Sequence, residues 1–182
     1  MRCKHRVQYL ALFRSVMPTG SNRIPKMSDL VQLLGTSGLD NVSSYSQSGN
    51  VICETSISAK ELARHIHQLI LEKIGANLAI IVKEKSDLEK AILQNPFPEE
   101  LDSSRIHLVF TNSHISTERL TEVREMNFTD EIFAVGETCL YMYLPRDARI
   151  KKLNNNFLEK KLGTVATTRK LTIIKKLINR MD

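Results

Sequence analysis

Cysteine is scarce in this 182-residue sequence: Cys3, Cys53 and Cys139 form no CxxC pair and leave an odd number. That argues against a disulfide framework and suits a reducing cytoplasm. No stretch approaches the roughly 20 apolar residues that cross a bilayer, so no membrane span is expected. The basic opening Met1-Arg2-Cys3-Lys4-His5-Arg6 leads into an apolar run, but Gln8 and Arg14 interrupt that run and no small-residue cleavage site appears. A strand is expected there rather than a secretory signal. His5, His65, His67, His107 and His114 show no metal-ligand spacing; His65 and His67, two apart on an expected helix, point to different sides. Neither a G-x-S-x-G elbow nor a phosphate-cradling G-x-x-x-x-G-K-S/T loop occurs, and Ser48 beside Gly49 reads as a turn, not a nucleophile. No metal and no cofactor is expected.

What the sequence does have is charge, concentrated at one end. Residues 146–182 carry eleven Lys and Arg against three Asp and Glu, a net +8, while the preceding 145 residues carry −2 and the whole chain +6. Such an asymmetry bears on partners, not on fold, and points to nucleic acid or another polyanion. The chain is long enough, and at 42% hydrophobic residues apolar enough, to bury a core of its own.

The hydrophobic pattern is that of an α+β protein. Val7 to Phe13 reads as a strand covered on both faces, and Met17 to Asn22 as a loop. Leu30, Leu33 and Leu34 give a short helix one apolar side, with Ser28 or Asp29 as its cap and Gly35 just past its end. Val42 to Ser46 and Val51 to Cys53 form a hairpin around Gln47-Ser48-Gly49-Asn50. Ser58 and Glu61 make a capping box that opens a helix with apolar Leu62, Ile66 and Ile70, stopped by Gly75, and Leu78 to Val82 is the next strand. This β-α-β-β-α-β order is the split βαβ, or ferredoxin-like, arrangement.

A second box, Ser86 with Glu89, opens a connecting helix that ends before Asn95-Pro96-Phe97-Pro98. The order then begins again. Ile106 to Phe110 is a strand, Thr117 to Met126 a helix, and Glu131 to Val135 and Cys139 to Leu144 a hairpin about Gly136-Glu137. Leu153 to Leu162 is a helix ended by Gly163, and Thr168 to Met181 reads as a final basic helix where the first half has its last strand. The expectation is two ferredoxin-like halves related by duplication, with mostly antiparallel sheets and an extra C-terminal basic helix. The halves are residues 1–84 and 105–182, joined by a connecting helix and Pro-containing linker at 85–104.

Three stretches, Tyr45-Ser46-Gln47-Ser48-Gly49-Asn50-Val51, Asn95-Pro96-Phe97 and the run from Lys152 through Asn154-Asn155-Asn156-Phe157 to Thr167-Thr168-Arg169, resemble a bacterial family known only as domain of unknown function 1697. The resemblance implies a cytoplasmic α+β fold of two related halves and no established activity. After Leu12-Phe13-Arg14 that family usually continues in a glycine-rich loop, where this chain has Ser15-Val16-Met17-Pro18-Thr19-Gly20. After Arg169 it usually has Asn-Trp, where this chain has Lys170-Leu171.

Three readings of function are open to the sequence. The leading one is a non-enzymatic module that binds an anion, nucleic acid or nucleotide, through Lys151, Lys152, Lys160, Lys161, Thr167, Thr168, Arg169, Lys170, Lys175 and Lys176. In it the two threonines and Arg169 sit at a helix start, where free N–H groups hold a phosphate. The second is a small-ligand enzyme with a polar pocket between the halves, for which the residues to watch are Arg14, Gln47, Asn50, Asn155, Thr168 and Arg169; the resemblance separately flags the polar cluster Arg14, Gln47, Ser48, Gly49, Asn50, Asn155 and Asn156. The third is an interaction module that docks through its C-terminal helix. Tyr141 and Tyr143, two apart on an expected strand, share a face and have the spacing of a base-stacking pair, but the glycine-aromatic signature of RNA-recognition sheets is missing.

Overall fold

The structure is a computed structural model, and it describes residues 6–24 and 26–181. Cys3 and His5, weighed above, lie outside the described residues. The chain divides into two compact units, Met1–Lys85 with Met181–Asp182, and Ser86–Arg180.

In the first unit the order is β1 (Val7–Arg14), α1 (Met27–Gly35), β2 (Asp40–Ser44), β3 (Asn50–Thr55), α2 (Ala59–Ile74) and β4 (Ala79–Glu84). The strands form one antiparallel sheet in the order β2-β3-β1-β4. Alternation along β1 sorts its side chains: Tyr9, Ala11 and Phe13 join the core with Met27, Leu30 and Leu34 of α1 and Leu62, Ile66 and Ile70 of α2. Leu10 and Leu12, on the opposite face, are also fully buried. Each large side chain so buried contributes about 1.5–3 kcal/mol. The Ser58–Glu61 capping box forms as expected, and Gly75 closes α2 in the left-handed conformation. The expected cap of α1 does not form. Lys26 occupies that position without a side-chain bond, two residues ahead of Ser28, because Met27 is buried in the core as the first helical residue; the hydroxyl of Ser28 donates to Asp29, and Gly35 is the last residue of the helix rather than the one past its end.

The second unit repeats the order with α3 (Lys85–Leu93) ahead of it: β5 (Ile106–Thr111), α4 (Thr117–Arg124), β6 (Ile132–Val135), β7 (Leu140–Tyr143), α5 (Asn155–Leu162), β8 (Ala166–Lys170) and α6 (Leu171–Ile178). A 3-10 turn, Ser103–Arg105, leads into β5. Its sheet, β6-β7-β5-β8, is antiparallel and has the same order as the first. The protein is thus α+β with two halves of like topology, as a duplication would produce.

Two expectations are corrected here. The stretch read as one helix from Thr168 is a strand followed by a helix. Thr167 to Lys170 pair with β5, whose edge would otherwise be open, and the helical spacing of Leu171, Ile174 and Leu177 starts only afterwards. Ser86, in turn, does not cap α3, which begins at Lys85 directly from β4. These two corrections agree with each other: β4 runs into α3 as β8 runs into α6, with no residue between, so the repeat is seven elements long and the connecting helix is the counterpart of the terminal one.

Candidate functional site

The asparagine-rich run before α5 is a local clasp. Asn154 caps α5 by accepting from the Phe157 N–H at 2.9 Å. Asn155 reaches across to β8, its Nδ2 donating to the Ala166 carbonyl at 2.8 Å and its Oδ1 accepting from the Thr168 hydroxyl at 2.7 Å. Glu159, one turn on, accepts from the Ala166 N–H at 2.9 Å. Asn156 is exposed. The approach to α5 is held by a residue the sequence reading missed: Glu131, 6% exposed, accepts from the N–H groups of Lys152 and Leu153 at 2.7 and 2.8 Å. Its only sequence signal is a carboxylate beside a strand of otherwise apolar residues.

Thr167, Thr168 and Arg169 are not at a helix start. They lie within β8, and register puts Thr168 on the face of Val109, with α5, and Thr167 and Arg169 on the face of Phe110 and Leu108. Thr167 is buried, and Arg169 donates to the Thr167 hydroxyl at 2.8 Å and the Thr168 carbonyl at 2.9 Å. Burial pulls the Arg169 guanidinium down to about 10.

The tyrosine pair is likewise not an open platform. Tyr141 is fully buried, its hydroxyl donating to the Ala91 carbonyl of α3 at 2.8 Å, and Phe97 meets the rings of Tyr141 and Tyr143 at centroid distances of 6.4 and 6.2 Å. Burial is also the main reason the Tyr141 phenol is held well above its ordinary range. The Asn-Pro-Phe motif therefore serves packing: Phe97 supplies the ring against which this pair rests.

In the first unit the Tyr45–Val51 motif closes the β2–β3 turn. Asn50, fully buried, donates through Nδ2 to the Tyr45 carbonyl and the Ser48 hydroxyl, both at 3.0 Å, and Ser46 and Ser48 share a bond of 2.6 Å. Gly49 has φ +72°, its carbonyl accepts from the Phe13 N–H at 2.8 Å, and a Cβ there would lie 2.6 Å from that of Phe13. Arg14 donates to the Ser15 hydroxyl at 2.6 Å, and Gln47 is exposed. Asn50 shares the sheet face of Leu12, away from α1 and α2.

The cations divide into two groups. Lys161 is partly covered and pairs with Glu122 of α4 at 2.7 Å. Lys151, Lys152, Lys160, Lys170, Lys175 and Lys176 are exposed, and none is in an ion pair among the described residues. His65 contacts the Ser37 hydroxyl and His67 the Leu78 carbonyl, and no group of His, Cys, Asp and Glu able to hold a metal occurs among the described residues. Cys53 and Cys139 are buried and form no disulfide among the described residues; burial, then the Glu54 charge, pushes the Cys53 thiol up to about 12, which leaves it a core residue rather than a nucleophile. No helix among the described residues is long and apolar enough to cross a membrane.

The chain is similar over its length to a solved structure described as the conserved bacterial protein SP0830 from Streptococcus pneumoniae. The two are 19% identical, with a TM-score of 0.71 over 97% of this chain and 99% of that one, a likeness of fold alone. No curated protein matches the chain. The profile of one family matches residues 7–141, which include the Tyr45–Val51 turn and Asn95-Pro96-Phe97 and stop short of the α5–β8 clasp. By that match, the chain belongs to the family described as protein of unknown function DUF1697.

Proposed function

We propose that the second unit binds polyanions, nucleic acid foremost, through the exposed lysines Lys151, Lys152, Lys160, Lys170 and Lys176, with Lys175 beside them. The observation that carries this reading is their exposure without an ion pair among the described residues, in a stretch whose net charge is +8. Solvated cations of this kind bind phosphates by releasing counterions, and they read charge rather than base sequence. Thr167, Thr168 and Arg169, engaged within the sheet, stand outside the proposed surface, and Lys161 contributes little because Glu122 neutralises it. The reading puts the protein in the cytoplasm, a setting that suits Cys53 and Cys139, which form no disulfide among the described residues.

The test is the salt dependence of binding to a labelled single-stranded oligonucleotide, followed by fluorescence anisotropy. Five phosphate contacts give a slope of log K against log salt of about −3.5, at about −0.7 per contact. Replacing Lys151 and Lys152 together by Ala should flatten it by about 1.4, whereas Lys161→Ala should leave it nearly unchanged. Affinity weaker than about millimolar at low salt, or a slope indifferent to the double substitution, overturns the reading.

A further inference from the structure

Between α3 and α6 the second unit has a hollow of about 520 Å³, lined by Glu89, Ile92, Leu93, Lys175, Ile178 and Asn179. The end of α3 presents a large apolar side chain to water: Leu93 is 86% exposed, against 52% for the next most exposed large apolar residues among those described. Ile92 and Ile178 are partly exposed. The two walls carry opposite charges, Glu89 on α3 and Lys175 on α6, and neither is in an ion pair among the described residues.

We propose that this face docks a second copy of the chain about a two-fold axis, each Leu93 entering the other copy's hollow and each Glu89 facing the partner's Lys175. A two-fold interface uses the same patch on both copies, so the patch must complement itself in shape and charge. This one does: a projecting leucine adjoins a hollow, and each charge has its opposite on the facing wall. One charge of each sign gives no preference for an acidic or a basic peptide, which is why a second copy fits better than a charged partner segment. The helices are nine and eight residues long, about 13 Å each at about 1.5 Å per residue. Two such helices side by side, each about 10 Å across, cover about 260 Å², well below the roughly 800 Å² per partner of a stable complex, so the dimer should be weak, with Kd of about 10–100 μM.

This inference is independent of the anion-binding proposal, although both use Lys175. Sedimentation velocity on the full chain tests it, over about 5–500 μM, a range set to bracket that Kd. The mean mass should rise from the 20.7 kDa of one chain toward twice that value, and high salt should weaken the association only modestly because the contact is mainly apolar. Leu93→Asp should hold the protein at monomer mass while its far-UV spectrum and urea midpoint stay unchanged. Glu89→Lys or Lys175→Glu alone should weaken association about tenfold or more, and the double exchange should recover most of it. Monomer mass throughout, whether the hollow stays empty or takes up an apolar dye or an added amphipathic peptide, overturns the proposal, as does a dimer indifferent to Leu93→Asp or a double exchange no better than the singles. Oligonucleotide affinity measured on Leu93→Asp, which keeps the five counted lysines, reports on the anion surface separately.

Discussion

The Thr168 hydroxyl donates to the Asn155 side-chain oxygen at 2.7 Å, while the nitrogen of the same amide donates to the Ala166 carbonyl at 2.8 Å. One asparagine at the start of α5 thereby fixes both side chain and backbone of the edge strand β8. Asn155→Ala should cost about 1–3 kcal/mol, since it leaves partly covered partners unsatisfied, and Thr168→Val about 1 kcal/mol. A double-mutant cycle by urea unfolding should show coupling of at least about 0.5 kcal/mol; strict additivity would mean the bond contributes nothing to stability.

Glu131 makes a sharper test, because its carboxylate is buried and accepts two backbone N–H groups. Glu131→Ala should destabilise by about 2–4 kcal/mol, and Glu131→Gln by less because one oxygen can still accept. Equal losses for the two variants, measured by urea midpoint, would assign the effect to packing instead.

Two glycines with positive φ should respond differently to alanine. At Gly38 (φ +93°) nothing lies within 4 Å of the added methyl, so Gly38→Ala should cost only the backbone penalty, about 1 kcal/mol. At Gly49 that penalty adds to a 2.6 Å approach to the Phe13 Cβ, and the loss should exceed about 2 kcal/mol. Thermal unfolding that ranks the two equally would contradict the close approach.

His107 supplies a pH dependence. Burial pulls its imidazole below the ordinary value of 6.5, with Lys170 and Arg105 adding to that and the bond to the Arg105 carbonyl opposing it. Below 6.5 the unfolded chain therefore takes up a proton that the folded one resists. The stability this residue contributes is complete above that pH and is lost as pH falls toward the folded value. Urea midpoints of the native protein should drop more steeply below pH 6.5 than those of His107→Gln; superimposable profiles would exclude His107 as a source of the slope.

Much of the fold was legible where local chemistry and burial agree. The Ser58–Glu61 box and Gly75 bound α2 in the sequence as they do in the structure, and Gly163 ends α5 as expected, although that helix, read from Leu153, starts at Asn155 behind an Asn154 cap. The failures share one cause, tertiary pairing that overrides a local signal. Thr167, Thr168 and Arg169 read as a helix start, the helix running from Thr168, and only the open edge of β5, more than fifty residues earlier, makes them a strand. Ser86 with Glu89 has the letters of a capping box, yet β4 passes into α3 two residues too early for it to act. The candidate site was legible in charge but not in arrangement: sequence could not separate exposed Lys160 from Lys161, which Glu122 neutralises, or see that Tyr141 turns its hydroxyl to Ala91.

That last bond has a consequence for how the protein is made. Although α3 completes the first seven-element repeat, its residues from Ser86 onward belong to the second unit, and its Ala91 carbonyl waits for a tyrosine fifty positions later. On the ribosome, where a chain emerges N-terminus first at about 5–20 residues per second, the first sheet has all its strands once β4 is out. The helix joined directly to β4 must then remain without its buried partner for several seconds, until β7 arrives. Leu88 and Ala91, buried in the folded chain, should stay uncovered for that interval, so a pause in folding during synthesis is expected at the junction of Glu84 and Lys85.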